Sequence, residues 1–143
     1  MSSEPTPAFR PAVLLRPLGL WVVLAVVAVV NGAVRELLII PTLGEYPGHL
    51  LSTALLLGAI LLVAGVYFRR STVAFTQLEL AVIGIVWTTL TVGFEFLVGY
   101  VEGTSVDETL SQYDVLGGRV WILVPLTLLL APTAFGWYLR VER

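Results

Sequence analysis

Residues 17–40 read PLGLWVVLAVVAVVNGAVRELLII: an uninterrupted apolar core over 18–30, then Asn31, Arg35 and Glu36. A helix needs about 20 predominantly apolar residues to cross a hydrocarbon layer of ~30 Å, and this stretch supplies them. Three further stretches do the same, at 49–68, 78–100 and 120–139. Composition agrees. Of 143 residues, 57% are hydrophobic and 13% charged, about half the charged share of a soluble domain. A chain this short cannot hide so much apolar surface in one water-soluble core. The expected fold is all-α: a four-transmembrane-helix bundle forming a single domain over 17–143, preceded by a disordered cytoplasmic tail over 1–16. The bilayer is then its first partner.

The breaks between spans have chemical causes. Pro41, Gly44, Pro47 and Gly48 are expected to end the first span in a tight loop. Arg69 and Arg70 stop the second. Thr76-Gln-Leu-Glu79 reads as a capping box that starts the third. Gly117-Gly118 precede the fourth, in which Pro125 and Pro132 share a face and predict a kink. In the loop between spans 3 and 4, Ser105-Val-Asp-Glu108 is a second capping box. Val106, Leu110 and Tyr113 recur after it at helical spacing, which predicts a short amphipathic helix lying on the surface.

Orientation follows from arginine. With four spans, Arg10, Arg16, Arg69, Arg70, Arg140 and Arg143 fall on one side. The positive-inside rule places that side, with both termini, in the cytoplasm, and the chain in a cell (inner or plasma) membrane. Glu45, Glu102, Asp107, Glu108 and Asp114 then face outward, and Trp21, Tyr67, Tyr100, Trp121, Trp137 and Tyr138 sit where an aromatic belt would. The first apolar core also fits a signal h-region, but the apolar register resumes after Arg35 and no small-x-small cleavage site follows the core.

Several function classes are excluded. The chain has no cysteine, so disulfide, thiolate-metal and dithiol redox chemistry are out. A single histidine, His49, excludes a multi-histidine metal or haem site. A net charge of −2 offers no basic patch to nucleic acid. No catalytic motif is present. Ser52, one turn from His49, is the nearest approach to a serine–histidine pair. The expectation is a non-enzyme without cofactor or metal.

What remains is a polar constellation in an apolar setting. Asn31, Arg35 and Glu36 fall late in span 1, His49 opens span 2, Glu95 lies late in span 3, and Arg119 opens span 4. The topology gathers them at one depth, in the outer leaflet. Each charge in the bilayer centre costs about 2.5–3.5 kcal/mol on insertion scales and asks for a partner. The simplest pairing sets Glu95 against Arg35 or Arg119 and Glu36 against the other arginine, with His49 donating to either carboxylate. Ala81, Gly84, Thr88, Thr91, Glu95 and Gly99 form one small and polar stripe along span 3, where helices approach closely. The cluster either ties the helices together or binds a small polar ligand or ion. A small oligomeric transporter or channel component, and an accessory subunit of a membrane complex, fit the same features.

Three motifs, Asn31-Gly-Ala-Val-Arg35-Glu36, Phe94-Glu95-Phe96 with Gly99, and Tyr113-Asp114 with Gly118-Arg119-Val-Trp121, resemble a family of small uncharacterised prokaryotic membrane proteins. The resemblance runs over 30–132. It implies a four-span fold and a shared polar constellation, and no activity.

Overall fold

The computed structural model describes residues 9–111 and 122–141, and these form helices with no strand among them. In chain order they are α1 (Leu15–Val34), α2 (Ile40–Leu43), α3 (Glu45–Arg70), α4 (Gln77–Val101), α5 (Val106–Ser111) and α6 (Leu123–Val141). Three helical stretches are long and apolar enough to cross a membrane: Pro11–Leu43, Glu45–Arg70 and Gln77–Val101. Only 11% of the most apolar window of the first is buried within the protein. Its aliphatic surface therefore needs an apolar surrounding to cover it.

The first span is longer at both ends than its sequence suggests. A 3-10 turn at Pro11–Leu14 leads into α1, so the tail expected over 1–16 is helical from Pro11 onward. Proline fits here because the first turn of a helix leaves its N–H groups unpaired in any case. At the other end Pro41 does not stop the helix. A π turn at Arg35–Ile39 joins α1 to α2, and Pro41 follows in the first turn of α2. A proline ring collides with the carbonyl four residues back, and one wide turn relieves that collision while the helix continues. The whole stretch of 33 residues is about 50 Å long at 1.5 Å per residue.

The tight loop expected over 41–48 is one residue. Gly44 has φ +90 and serves as the end of α2 and the start of α3. Only glycine adopts that backbone freely. Pro47 falls in the first turn of α3. Gly48 is buried, and a Cβ there would stand 2.9 Å from Ile40 Cγ1 and 3.3 Å from its Cα. The second span thus begins at Glu45 and not near His49.

The capping box at Thr76 forms as its sequence implies, with both reciprocal bonds made. The core lies among α3, α4 and α6: Leu56, Ile60, Ala64 and Phe68 meet Leu80, Ile83 and Trp87, with Val124, Leu128 and Ala131 closing the far side. Close approach of α4 to α6 rests on absent side chains. Gly84 is pressed on the Leu129 carbonyl and Gly136 on the Leu80 methyls. Pro125 sits in the first turn of α6, where it costs no hydrogen bond; Pro132 lies inside that helix and is fully buried. The short helix α5 is present and capped by Ser105 Oγ, which accepts from Glu108 N at 3.2 Å. It turns Thr109 to the bundle, against Gly99, and leaves Val106 and Leu110 exposed.

Candidate functional site

The site begins where α1 is pinned to α4. Arg10 donates from its backbone N and from Nε to Glu79 Oε2, both at 2.9 Å, and from Nη2 to Glu79 Oε1 at 2.8 Å and to the Ala74 carbonyl at 2.9 Å. Glu79 is fully buried. The same carboxylate accepts from Thr76 N at 2.8 Å. Arg10, outside the spanning helices, is held above its ordinary pKa by the hydrogen bond to that carboxylate. Further along, Trp87 Nε1 donates to the Pro17 carbonyl at 2.9 Å, and Trp21 Nε1 donates to Thr91 Oγ1 at 2.9 Å. The Trp21 and Phe94 rings meet edge to face at 6.2 Å. These hydrogen-bonded partners are separated by 69 or 70 residues. A constant offset means that α1 and α4 run parallel and in register.

Continuing that register would bring Ala25, Ala28 and Gly32 opposite Glu95, Val98 and Glu102. All six line a cavity of about 590 Å³ instead. Beyond Trp21 no hydrogen bond or ring contact joins the two helices among the described residues. The residues that α1 presents are too small to fill the space. The floor is apolar, from Leu24, Leu56, Ile60 and Leu128. The other end carries Arg35, Glu36, Tyr46, His49, Glu95 and Glu102. Glu36, Tyr46 and Glu102 are exposed there, so this end is the mouth.

Of the residues singled out in the sequence, Arg35, Glu36, His49 and Glu95 line this cavity. Asn31 does not. It joins α1 to α3: its Nδ2 donates to the Ser52 carbonyl at 3.1 Å, and Ser52 Oγ donates to its Oδ1 at 2.6 Å. The Ser52 hydroxyl is thereby committed, which removes the serine–histidine pair. Arg35 Nε reaches Glu36 Oε1 at 3.3 Å. Of the two expected pairings, this is the one in which Glu36 takes Arg35. An intrahelical pair cannot tie helices together. Glu95 comes from α4, with Oε1 shielded from solvent. Arg119, like Tyr113, Asp114, Gly118 and Trp121, lies outside the described residues.

The stripe on α4 serves two neighbours rather than one. Gly84 and Thr88 face α6, where Thr88 Oγ1 stands 2.8 Å from the Gly84 carbonyl and 3.2 Å from that of Pro125. Thr91 and Glu95 face α1 and the cavity. Sequence reasoning missed Trp21 and Tyr46 as site residues, and Glu102 was placed only as an outer loop acid. Trp21 looked like a belt residue because it stands near a span end. The spacing of Trp21 and Thr91 on two parallel spans was the available signal.

Chemically, the cavity joins a polar rim to an aromatic wall and an aliphatic floor. Its described lining holds one arginine, itself beside Glu36, and three glutamates. No protein-family model, no curated protein and no solved structure matches this chain.

Proposed function

We propose that the chain is a four-span cell-membrane protein, with both termini cytoplasmic, whose outer-leaflet cavity binds a small ligand. The cavity carries this reading. About 590 Å³ falls within the roughly 300–1,000 Å³ of small-molecule sites, and the lining combines apolar walls with a few polar groups, as such sites do. Among the described residues, α1 is joined to α3 by the Asn31–Ser52 pair and to α4 at Arg10, Pro17 and Trp21. Ionisable groups at membrane depth are costly and are functional candidates for that reason. Arginine placement supports the orientation: Arg10, Arg16, Arg69 and Arg70 stand at one end of the bundle's helices.

The chain has no native cysteine, so single-cysteine variants give a clean test. In intact cells a charged, impermeant thiol reagent is expected to modify Ala28→Cys, Val98→Cys and Ser105→Cys. It should spare Thr72→Cys, in the segment between α3 and α4, and Val26→Cys, on the exposed face of α1. Silence at both Ala28→Cys and Val98→Cys, with Ser105→Cys reactive, would overturn the open cavity. Modification of Thr72→Cys but not Ser105→Cys would overturn the orientation.

A further inference from the structure

We infer that the cavity takes up one hydrocarbon chain of a membrane lipid, which enters sideways between α1 and α4 and leaves its headgroup at the mouth. This deepens the ligand-binding reading above and rests on it. Depth is the first support. On α1 the lining runs from Leu24 in the floor to Arg35 at the mouth, about 17 Å at 1.5 Å per residue. Half of a hydrocarbon layer of ~30 Å is about 15 Å, so the cavity is as deep as one leaflet. Its polarity runs the same way as a lipid's, from aliphatic Leu24, Leu56 and Ile60 to Arg35, Glu36 and Glu102. Glu95 is engaged within the protein, with Oε1 shielded from solvent, and asks nothing of the occupant. Width is the second support. About 590 Å³ over that depth is a mean cross-section of roughly 35 Å². A helix with its side chains is at least ~10 Å across, or about 80 Å². A slender chain fits where a partner's helix does not.

The third support is an open side. Val29 and Ala33 line the cavity and are nonetheless exposed. They continue the helical stripe of Val22 and Val26, which are exposed and lie outside the cavity. The cavity wall therefore runs on into the apolar outer surface of α1. α1 and α4 are held together up to Trp21 and Thr91, then part around Ala25, Ala28 and Gly32. A lipid chain lying against α1 passes through that parting without crossing water, and exchanges with the bilayer by the same path. Inside, it makes the van der Waals contacts that side chains as small as Ala25, Ala28 and Gly32 do not.

Photoreactive phosphatidylcholines provide the test. The full chain is reconstituted in phosphatidylcholine vesicles holding a trace of lipid with a diazirine either at the end of one chain or beside the headgroup. After illumination the labelled residues are mapped by mass spectrometry. Leu24, Leu56 and Ile60 are buried, so lipid outside the cavity does not reach them, whereas Val22 on the exposed face of α1 reports that lipid. The chain-end probe is expected to label all three floor residues, and the head-proximal probe to label them far less. Ala28→Trp, which narrows the passage, should cut floor labelling relative to Val22 by roughly fivefold or more, the factor for an overpacking cost of about 1 kcal/mol. Should Ala28→Trp fail to fold, Ala28→Leu carries the same expectation. Labelling of Val22 without the floor, while Ala28→Cys still reacts with a neutral maleimide, overturns the proposal and leaves the cavity to a water-soluble ligand. Floor labelling that favours the head-proximal probe, or that Ala28→Trp and Ala28→Leu leave unchanged, overturns it too. An unlabelled floor together with an unreactive Ala28→Cys overturns the cavity reading itself, and this one with it.

Discussion

Gly84 and Gly93 lie on the same helix, and alanine at each is expected to have opposite effects. A Cβ at Gly84 would be driven into the backbone carbonyl oxygen of Leu129, with the carbonyl carbon at 3.0 Å and Cα at 3.3 Å. These atoms belong to α6 itself and cannot swing aside, so the helices must separate. A Cβ at Gly93 meets nothing within 4 Å. Both substitutions gain the same helix propensity, about 1 kcal/mol for glycine to alanine. That gain cancels in their difference, which isolates the overpacking cost of about 1–3 kcal/mol. Gly93→Ala is thus expected to be more stable than the parent, by up to about 1 kcal/mol. Gly84→Ala is expected to fall below Gly93→Ala by about 1–3 kcal/mol, a factor of roughly 5 to 150 in the unfolding constant. Equilibrium unfolding in mixed micelles at increasing denaturing-detergent fraction, followed by far-ultraviolet circular dichroism, reads that difference. If the two variants unfold together, or if Gly84→Ala is the more stable, α4 and α6 do not approach as closely as described.

Three further outcomes follow from the contacts of α1. Arg10→Ala leaves the fully buried Glu79 without its guanidinium, so it should lower the thermal unfolding temperature; Arg10→Lys, lacking the two-pronged geometry, should fall between it and the parent, and equal temperatures for all three would sink the reading. Asn31→Ala and Ser52→Ala each break the bond from Ser52 Oγ to Asn31 Oδ1, and a double-mutant cycle should give a coupling of about 0.6–1.7 kcal/mol; a coupling of zero would show that the pair does not join α1 to α3. Trp21→Phe keeps the ring beside Phe94 but loses the bond to Thr91; it should cost roughly 1 kcal/mol in unfolding titrations, and Thr91→Val should add nothing further to it.

The features legible in the sequence are those set by neighbours in the chain. Thr76 and Glu79 announce the start of α4 because a capping box needs only residues three apart. The apolar runs announce the long helices because hydrocarbon thickness sets their length. Arg35, Glu36, His49 and Glu95 could be placed at one depth by counting along the spans, and they do share a cavity. What escaped is set by distance in the chain or by how a helix copes with a local fault. Pro41 is a helix stop on propensity alone, yet a π turn carries the helix past it. The Arg10 bond to Glu79 joins residues 69 apart, and a proline-rich tail gave no reason to expect order. Counting charges left Arg35 and Arg119 as alternative partners for Glu36, and Arg35 Nε stands 3.3 Å from Glu36 Oε1, where adjacency in the chain makes the reach short.

The cavity follows from how the three long helices are fastened rather than from loose packing. The one-residue turn at Gly44 and the contact of Gly48 with Ile40 hold the Glu36 end of α1 against α3. The Asn31–Ser52 pair fastens it there a second time. α4 is drawn the other way, onto α6, by the absence of a side chain at Gly84 and at Gly136. At the opposite end Arg10 and Trp87 lock α1 to α4 in register, with Trp21 as the last contact. Two helices clamped at one end and pulled towards different neighbours at the other must diverge, and they diverge where α1 carries Ala25, Ala28 and Gly32. Larger side chains there could bridge the gap. Small ones leave it open, in the one part of the described bundle where Glu36, Glu95 and Glu102 stand together.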